Sequence, residues 1–292
     1  MPKPFNFSAG ALARLAQDDV ARALAEDVGS GDLTATLIAP GLQAKAQVLA
    51  RESAVICGSA WVVAAFRQLD PQSTLVWHLQ DGERCQANQL VFEVQGQARA
   101  LLTGERTALN FLQLLSAVAS KTATYVAIVA GTKAKIVDTR KTLPGLRLAQ
   151  KYAVLTGGGT NHRVGLYDAV LIKENHIAAA GGIAQVLQRT AQVVPQADFV
   201  EIEVETLDQL TQALAAGARM VLLDNMDLAT LREAVHSNAG RAILEISGGV
   251  SLDRLRALAE TGVDRISIGT LTKDVQAIDF SMRFEAQQGG QP

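Results

Sequence analysis

The chain has 292 residues, of which 48% are hydrophobic, and its formal net charge is −2. This length suits two domains or one large barrel with an addition, and the charge excludes a globally basic nucleic-acid binder. The two cysteines, Cys57 and Cys85, have no metal-ligand or redox spacing, so we expect reduced thiols in a cytoplasmic protein. The amino terminus has no apolar signal segment, and no run of about 18 apolar residues follows, so we expect no membrane span.

The first hundred residues predict an α+β domain. Apolar periodicity indicates a helix over residues 11–26, which ends at the glycine-rich turn 29–32. Alternation predicts a half-buried strand at 44–51, and a short helix follows at 59–69. Further strands are expected at 74–78, 90–94 and 98–102. This part of the chain shows little chemistry of its own.

A long helix is predicted to begin at Thr103, which would serve as its N-cap. Arg106 would then lie in the first turn, where a cation opposes the helix dipole at a cost of about 0.3–1 kcal/mol. This placement leaves two interpretations open. Arg106 pairs with Glu105 or Glu93, or it reaches an anionic ligand.

The second half of the chain alternates between apolar strands and helices. Strands are expected at 134–137, 169–172, 199–204, 220–223, 242–246 and 265–268. Helices are expected at 148–155, 182–193, 207–216, 228–237 and 252–261. Six strand–helix units argue for parallel strands, in either a barrel or an open doubly wound sheet. The nearly equal spacing of the later units favours the barrel.

Cationic and imidazole side chains are concentrated between residues 138 and 176, although the chain as a whole is slightly acidic. They are Arg140, Lys141, Arg147, Lys151, His162, Arg163, Lys173 and His176. Short apolar runs flank them, so they lie where buried strands end. Desolvated arginine and lysine bind carboxylate or phosphate strongly, which points to a substrate with several negative charges.

Polar residues also follow the other strands of the second half, at the ends where barrel active sites lie. Glu201 and Glu203 alternate along one strand and so share a face, with Glu203 near the end and Glu201 deeper, where it would need a partner. Asp224 ends the next strand. Glycine-containing turns follow the last two strands, as Ser247-Gly248-Gly249 and Gly269-Thr270. Such turns form phosphate cradles in many barrels and predict a phosphorylated substrate.

Several segments together resemble the quinolinate phosphoribosyltransferase family, also called nicotinate-nucleotide pyrophosphorylase (carboxylating). The most specific are Thr-Arg-Lys-Thr-Leu-Pro-Gly-Leu-Arg at 139–147 and Asn-His-Arg at 161–163. The other matching segments are 26–34, 105–110, 172–176, 201–203, 222–225 and 247–249. The resemblance therefore covers nearly the whole chain.

The resemblance implies an α/β fold, with an N-terminal α+β sandwich domain and an incomplete α/β barrel of about six or seven parallel strands. The sandwich would span residues 1–118, the barrel would span 119–274, and the tail 275–292 would pack back on the sandwich. The family converts quinolinate and phosphoribosyl pyrophosphate, with Mg²⁺, to nicotinate mononucleotide, pyrophosphate and CO₂. Its members are homodimers in which the active site is shared across the interface.

The resemblance also assigns roles to individual residues. Quinolinate would be held by Arg140, His162, Arg163 and Lys173, with Arg106 from the partner subunit. Glu203, Asp224, Lys141 and Lys173 would be catalytic, and Glu203 and Asp224 would hold the metal, directly or through water. The phosphate would lie at Ser247, Gly248, Gly249, Gly269 and Lys273. Lys273 departs from the pattern, because histidine is expected there.

Two other classes of function stay open at this stage. Lys173 at a strand end could be the Schiff-base amine of a lyase or aldolase. The chain could also be a non-catalytic sensor of a phosphate ligand, or a paralogue associated with molybdate transport.

Overall fold

The computed structural model describes residues 5–192 and 197–285, and the chain divides into two compact units. The parallel-sheet unit contains Thr122–Arg147 and Gly158–Lys273. The antiparallel-sheet unit contains Phe5–Lys121, Leu148–Gly157 and the described residues from Asp274 onward. Each unit has its own sheet and its own buried core.

The antiparallel-sheet unit is built from two early helices, a long helix and short strands. Its helices are α1 (Ala9–Val28), α2 (Ser59–Leu69), most of α3 (Ala98–Ile128) and most of α4 (Arg147–Thr156). Its strands are β1 (Gln43–Ala50), β2 (Ala54–Val55), β3 (Thr74–Trp77), β4 (Arg84–Cys85), β5 (Leu90–Gln97) and β12 (Phe280–Phe284). The main sheet is antiparallel, in the order β12-β1-β5-β3. The C-terminal strand β12 pairs with β1, so the end of the chain completes this sheet.

Strand β1 is half-buried, as the alternation in its sequence predicts. Ala46, Val48 and Ala50 are buried, and the residues between them are more exposed. The helix predicted at 59–69 and the strands at 74–78 and 90–94 are confirmed within a few residues. The pattern of buried side chains on one face of each element therefore predicts most of the helices and strands of this unit.

The prediction for residues 98–102 is wrong, because α3 begins at Ala98 and runs for 31 residues. Thr103 lies inside this helix, and its hydroxyl donates to Asp32 Oδ2 at 2.8 Å instead of capping a helix. Arg106 is therefore not in a first turn, and the argument from the helix dipole does not apply to it. Glu93 pairs with Lys45 at 2.8 Å. Arg106 is exposed and forms no ion pair among the residues that the structure describes, although its charge opposes the rise that burial causes in the pKa of the neighbouring Glu105.

Helix α3 is long and apolar enough to cross a membrane by length and composition. More than half of its most apolar window is buried inside the protein, as in a core helix of a folded domain. One such helix is weak evidence for a membrane span.

The parallel-sheet unit contains six strands separated by helices. The strands are β6 (Lys135–Val137), β7 (Val170–Ile172), β8 (Val200–Val204), β9 (Met220–Asp224), β10 (Ile243–Ser247) and β11 (Arg265–Ser267). The helices are α5 (Glu174–Ala180), α6 (Ile183–Arg189), α7 (Leu207–Ala215), α8 (Leu228–Asn238), α9 (Leu252–Ala259) and α10 (Thr270–Lys273). The predicted strands all form, and the end of the predicted helix 182–193 lies partly outside the described residues.

The six strands are parallel and pair in the order β6-β11-β10-β9-β8-β7. The sheet does not pair β6 with β7 within the described part of the chain, as expected for an incomplete barrel. Its core is aliphatic, and Ile202, Val221, Leu223 and Leu231 are fully buried. Each such side chain contributes about 1.5–3 kcal/mol through burial. Because the strands are parallel, their carboxyl ends share one edge, and that edge carries the polar residues.

Candidate active site

Two adjoining cavities open at the carboxyl ends of the parallel strands. The first, here called the arginine cavity, has a volume of about 230 Å³. Its lining residues are Thr139, Arg140, Lys141, His162, Arg163, Leu171, Lys173, Glu203, Leu222, Glu245, Ser247 and Ser267. The second, here called the glycine cavity, has a volume of about 430 Å³. Its lining residues are Thr139, Lys141, Ser247, Gly248, Gly249, Val250, Ser251, Ser267, Ile268, Gly269, Thr270 and Lys273.

Arg140 and Arg163 bring two guanidinium charges to the arginine cavity. Burial and the neighbouring charge of Arg140 lower the pKa of Arg163. Like charges are held together here at an energetic cost, and an anion between them would relieve it. Arg140 Nε is buried and has no hydrogen-bond partner among the described residues. An unpaired buried donor costs about 1–3 kcal/mol, so this nitrogen is suited to an incoming carboxylate.

The loop that carries His162 and Arg163 is fastened to the end of β6. Asp138 is fully buried, and its carboxylate accepts from Asn161 Nδ2 at 2.7 Å and from the main-chain N–H of His162 at 2.8 Å. Asp168 accepts from the main-chain N–H groups of Val164 and Gly165, at 2.6 and 2.8 Å. These contacts satisfy loop donors that would otherwise be buried without partners.

Arg147 belongs to the family-specific segment, but its contacts are structural. Its guanidinium donates to Thr142 Oγ1 at 3.1 Å, to the carbonyl of Val164 at 3.1 Å and to the carbonyl of Arg140 at 3.4 Å. It therefore ties the loop after β6 to the loop before β7. This fixes the backbone from which Arg140 projects.

Lys173 and Glu203 face each other inside the arginine cavity, where Lys173 Nζ lies 2.7 Å from Glu203 Oε2. The ammonium is about half exposed and the carboxylate nearly buried, so the pair can be rearranged by a ligand. His176 does not line this cavity. Its Nδ1 accepts the main-chain N–H of Lys173 at 2.9 Å, so it secures the start of α5.

A group of mostly buried polar residues lines the arginine cavity and extends below it, and it is here called the carboxylate cluster. Its members are His162, Glu201, Glu245, Arg265 and Ser267. Glu201 does have the partner that its depth requires, because its Oε2 lies 2.9 Å from His162 Nε2. Glu245 accepts from Arg265 Nε at 2.6 Å and from the hydroxyl of Ser267.

Burial dominates the electrostatics of this cluster. It raises the pKa of Glu201 to about 7, although Arg265 and Arg163 oppose the shift. It also raises the pKa of Glu245, and the charge of Glu201 adds to that effect. Two carboxyls in one dry site make it costly for both to be ionised.

Lys141 lines both cavities, and its side chain packs against one of the glycine turns. A Cβ on Gly269 would come within 2.9 Å of Lys141 Cδ, so the lysine stem lies directly over that glycine. The hydroxyl of Thr272 donates to the carbonyl of Lys141 at 2.7 Å. Thr270 Oγ1 is buried and has no hydrogen-bond partner among the described residues, and it lines the glycine cavity. It is thus a second unpaired donor, suited to a phosphate oxygen.

Asp224 ends β9 beside the glycine cavity and is not among the residues that line either cavity. Its position in the sheet pairs it with Ser247. A Cβ on Gly248 would come within 3.2 Å of Asp224 Oδ1, and the φ of Gly248 is +88°. Glycine at this position therefore leaves room for the carboxylate.

The structure brings together most of the predicted site residues. Those that line the two cavities are Arg140, Lys141, His162, Arg163, Lys173, Glu203, Ser247, Gly248, Gly249, Gly269 and Lys273. Asp224 stands at their edge, and Arg106 is an exposed residue of α3 in the other unit. The roles assigned to these residues stay predictions.

Sequence reasoning missed three members of this region. Glu245 and Arg265 are aligned on neighbouring strands β10 and β11, but nothing in the sequence reveals that register. The one sequence feature that could have indicated a buried polar residue here is Glu245, a glutamate inside the apolar run of β10. Thr270 was seen only as part of a turn, and its unpaired hydroxyl is visible only in three dimensions.

Known proteins are similar to this chain in sequence and in fold. The family description "Quinolinate phosphoribosyl transferase, N-terminal domain" matches residues 32–116, and the corresponding C-terminal domain matches 118–283. A nicotinate-nucleotide pyrophosphorylase [carboxylating] of Mycobacterium leprae is 42% identical, over 91% of this chain and 96% of that protein. A probable nicotinate-nucleotide pyrophosphorylase [carboxylating] of Bacillus subtilis is 40% identical, over 88% of this chain and 89% of its own.

A solved structure is similarly close over the full length of the chain. The nicotinate-nucleotide pyrophosphorylase from Francisella tularensis superposes with a TM-score of 0.91 and is 41% identical, covering 98% of this chain and 100% of that one. Both domain descriptions match in the expected order, and relatives near 40% identity cover most of both chains. The chain therefore belongs to the quinolinate phosphoribosyltransferase family.

Proposed function

We propose that this protein joins quinolinate to phosphoribosyl pyrophosphate and releases pyrophosphate and CO₂, forming nicotinate mononucleotide in NAD biosynthesis. The observation that carries the proposal is the arginine cavity, where Arg140 and Arg163 are held close together with an unpaired buried donor. Two adjacent carboxylates on an aromatic ring match in charge two guanidinium groups that line one cavity. The names of the relatives support the same reaction.

The arginine cavity would hold quinolinate by its two carboxylates. Its volume of about 230 Å³ suits a single substituted ring and no larger group. Arg140 and Arg163 would each take one carboxylate, and Lys173 would turn from Glu203 towards the ligand. The apolar side chains of Leu171 and Leu222 supply the faces against which the ring would pack.

The glycine cavity would hold the phosphates of the second substrate. Its turns let main-chain N–H groups approach phosphate oxygens without an intervening Cβ, and Lys273 adds a cation. Lys141 spans both cavities, so it would lie between the leaving pyrophosphate and the dicarboxylate. Lysine can serve as such a phosphate contact where the family pattern has histidine at position 273, because both side chains can donate an N–H to a phosphate oxygen.

The reaction then needs orientation more than proton transfer. The ring nitrogen forms a bond to the anomeric carbon while the bond from that carbon to pyrophosphate breaks, and the electron pair leaves with pyrophosphate. The sugar becomes transiently cationic, and Glu203 and Asp224 would stabilise it and bind its hydroxyls. The adjacent carboxylate then departs as CO₂, and the electron pair of the broken carbon–carbon bond stays on the ring carbon as a carbanion that the positive nitrogen stabilises. A proton from water completes nicotinate mononucleotide. Holding the two substrates in line supplies much of the acceleration.

The acidic residues also fit a magnesium ion. Mg²⁺ prefers hard oxygen ligands and usually keeps several waters, and Glu203 and Asp224 offer carboxylate oxygens at neighbouring strand ends. When bound, Mg²⁺ would neutralise charge on the departing pyrophosphate.

A homodimer with a shared active site completes the proposal. Arg106 is exposed on α3 and has no ion pair among the described residues, so its charge is available to a ligand. The partner's Arg106 would then reach quinolinate in the arginine cavity. A cytoplasmic location agrees with the two reduced cysteines, which are buried.

Release of labelled CO₂ from carboxyl-labelled quinolinate tests the proposed function. We expect release that depends on both phosphoribosyl pyrophosphate and Mg²⁺, with one nicotinate mononucleotide formed per CO₂. Release without the second substrate, or no release at all, would refute the proposal. Borohydride trapping of a substrate on Lys173 would instead favour a Schiff-base lyase, and ligand binding without turnover would favour a sensor.

Mixing two inactive variants tests the shared site. Arg106→Ala and Lys173→Ala subunits should each be inactive alone, because each lacks one contact to quinolinate. In a mixed dimer one site would carry both defects and the other neither, so activity should return partially. A mixed dimer as inactive as its parents would argue against a contribution of Arg106 across the interface.

A further inference from the structure

The carboxylate cluster contains charged groups that the proposed reaction does not use. Glu201 and Glu245 are fully buried, and His162 is nearly so. Glu245 is satisfied by Arg265 and Ser267, with which it forms a neutral, hydrogen-bonded group. Glu201 is different, because its Oε2 faces His162 and its Oε1 has no hydrogen-bond partner among the described residues. Burial of a carboxyl with a single polar contact costs free energy, so we expect the contact to serve a function.

The two nitrogens of His162 have distinct neighbours, which define the state of the ring. The main-chain N–H of Arg163 donates to His162 Nδ1 at 2.8 Å, so Nδ1 must present a lone pair. His162 Nε2 lies 2.9 Å from Glu201 Oε2 and 3.5 Å from Glu245 Oε1, so it must carry the hydrogen. A neutral imidazole donates from one nitrogen and accepts at the other, and this geometry is that of the Nε2–H tautomer.

The surroundings of the ring favour the observed orientation. Phe199 packs against His162 edge to face, with ring centroids 5.2 Å apart. A ring that carried hydrogen on Nδ1 would place two N–H groups opposite each other, and the main chain at Arg163 would have to move. The acceptor at Nε2 thus determines, through the ring, where the backbone of Arg163 lies.

We propose that Glu201 is a positioning residue for the dicarboxylate substrate, acting by holding His162 in the tautomer that fixes the main chain of Arg163. The inference rests on the proposed function, since it takes Arg163 to contact quinolinate. Glu201 touches no substrate in this scheme. His162 contributes as a neutral, oriented ring and not as a cation.

Replacement of Glu201 by glutamine and by methionine tests the inference. Glu201→Gln keeps an oxygen acceptor for His162 Nε2–H, and Glu201→Met keeps the volume but removes the acceptor. For Glu201→Met we expect KM for quinolinate to rise about ten-fold, as for loss of one oriented contact to a charged group. Both kcat and KM for phosphoribosyl pyrophosphate should stay within about two-fold of wild type, and Glu201→Gln should restore the quinolinate KM.

A matched control removes the same charge from the same strand region without touching His162. Glu205 lies four residues further along, beyond the end of β8, and is exposed. Glu205→Gln should leave both KM values unchanged. Equal losses in Glu205→Gln and Glu201→Met would show a general charge effect and overturn the inference.

Nitrogen-15 NMR of the histidine rings gives a readout that does not need turnover. The chain has four histidines, so the His162 signals can be assigned by comparison with a His162→Asn sample. Wild type and Glu201→Gln should show the Nε2–H tautomer, and Glu201→Met should show a mixture. A wild-type ring in the Nδ1–H or doubly protonated state at neutral pH overturns the inference, even if Glu201→Met fails to fold.

The two proposals fail in different ways. Absence of labelled CO₂ release from wild type would refute the proposed function, whereas the NMR arm would still report on the contact between Glu201 and His162. Normal release together with an unchanged quinolinate KM in folded Glu201→Met would refute the positioning role alone.

Discussion

Each of the two units contains a group of charged side chains in which carboxyls lie near cations. The pKa of a carboxyl is lowered in one group and raised in the other. In the antiparallel sheet, the sheet cluster consists of Lys45, His78, Glu93 and Glu285. Hydrogen bonds from Lys45 and Gln47 lower the pKa of Glu93 to about 2. In the carboxylate cluster, burial raises the pKa of Glu201 to about 7 despite two nearby arginines.

The difference shows that desolvation, and not the number of cations, separates the candidate active site from a surface ion network. Solvent screens the sheet cluster, so each of its ion pairs contributes little to stability. The residues around the arginine cavity are held in an unfavourable electrostatic state that a ligand can relieve. Changes in the two regions should therefore have different consequences, and these can be measured.

The largest effect is expected from the acidic residues at the strand ends. Glu203→Ala or Asp224→Ala should lower kcat about 10²–10³-fold, because each removes charge that stabilises the transition state. Quinolinate affinity, measured by calorimetry, should fall far less. Glu93→Ala removes a carboxylate from the sheet cluster and should leave kcat unchanged. Normal turnover in both strand-end variants would contradict the assignment.

Loss of either guanidinium should have the next largest effect. Arg140→Gln or Arg163→Gln should lower kcat/KM for quinolinate about 10²-fold, because a charge-assisted contact contributes about 1.5–3 kcal/mol. KM for phosphoribosyl pyrophosphate should not change. Lys45→Gln is the matched change in the sheet cluster and should affect neither substrate. Similar losses for both substrates would break the separation between the two cavities.

A smaller effect is expected in the glycine cavity, where recognition would depend on the main chain. Gly248→Ala should raise KM for phosphoribosyl pyrophosphate about ten-fold, since its Cβ would meet Asp224 Oδ1 at 3.2 Å. Gly181→Ala is a control for backbone strain, because Gly181 has φ +90° and open space around its Cβ position. Both variants should lose about 1–2 kcal/mol of stability, and only Gly248→Ala should lose affinity. The same KM for phosphoribosyl pyrophosphate in Gly248→Ala and Gly181→Ala would argue against phosphate binding at this turn.

The smallest effect concerns acid stability. The pKa of Glu93 is lowered on folding, so its contribution to stability is present above its ordinary pKa of 4.5 and is lost as pH falls towards about 2. Glu93→Gln should therefore flatten the decline in melting temperature between these pH values. An unchanged decline, measured by thermal denaturation at a series of pH values, would show that solvent screening cancels the contribution of the sheet cluster.

Much of the fold could be predicted from the sequence, because the strands of the parallel sheet are short apolar runs and their ends carry polar residues. The same local rule failed at residues 98–102, where an apolar run beside a strand continues as helix α3. Local periodicity could not distinguish these outcomes, since they depend on packing. Strand β12 was missed because its partner β1 lies more than two hundred residues earlier.

The sequence predicted which residues belong to the site but not which neighbours each side chain contacts. The motif at 139–147 suggested a common role for its cations, yet Arg147 braces loops while Arg140 lines the cavity. His176 belongs to the predicted group of cationic and imidazole side chains, but its ring accepts a main-chain N–H and does not line the cavity. Such roles depend on which neighbour a side chain reaches, and that follows from strand register and loop path.

Recognition of two adjacent carboxylates is the claim on which the function depends, and calorimetric titration of wild-type protein tests it most directly. Quinolinate should bind with one site per chain, and nicotinate, which lacks the second carboxylate, should bind about 10²-fold more weakly. Equal affinity for the two ligands would contradict the account, because it would mean that Arg140 and Arg163 do not divide two carboxylates between them.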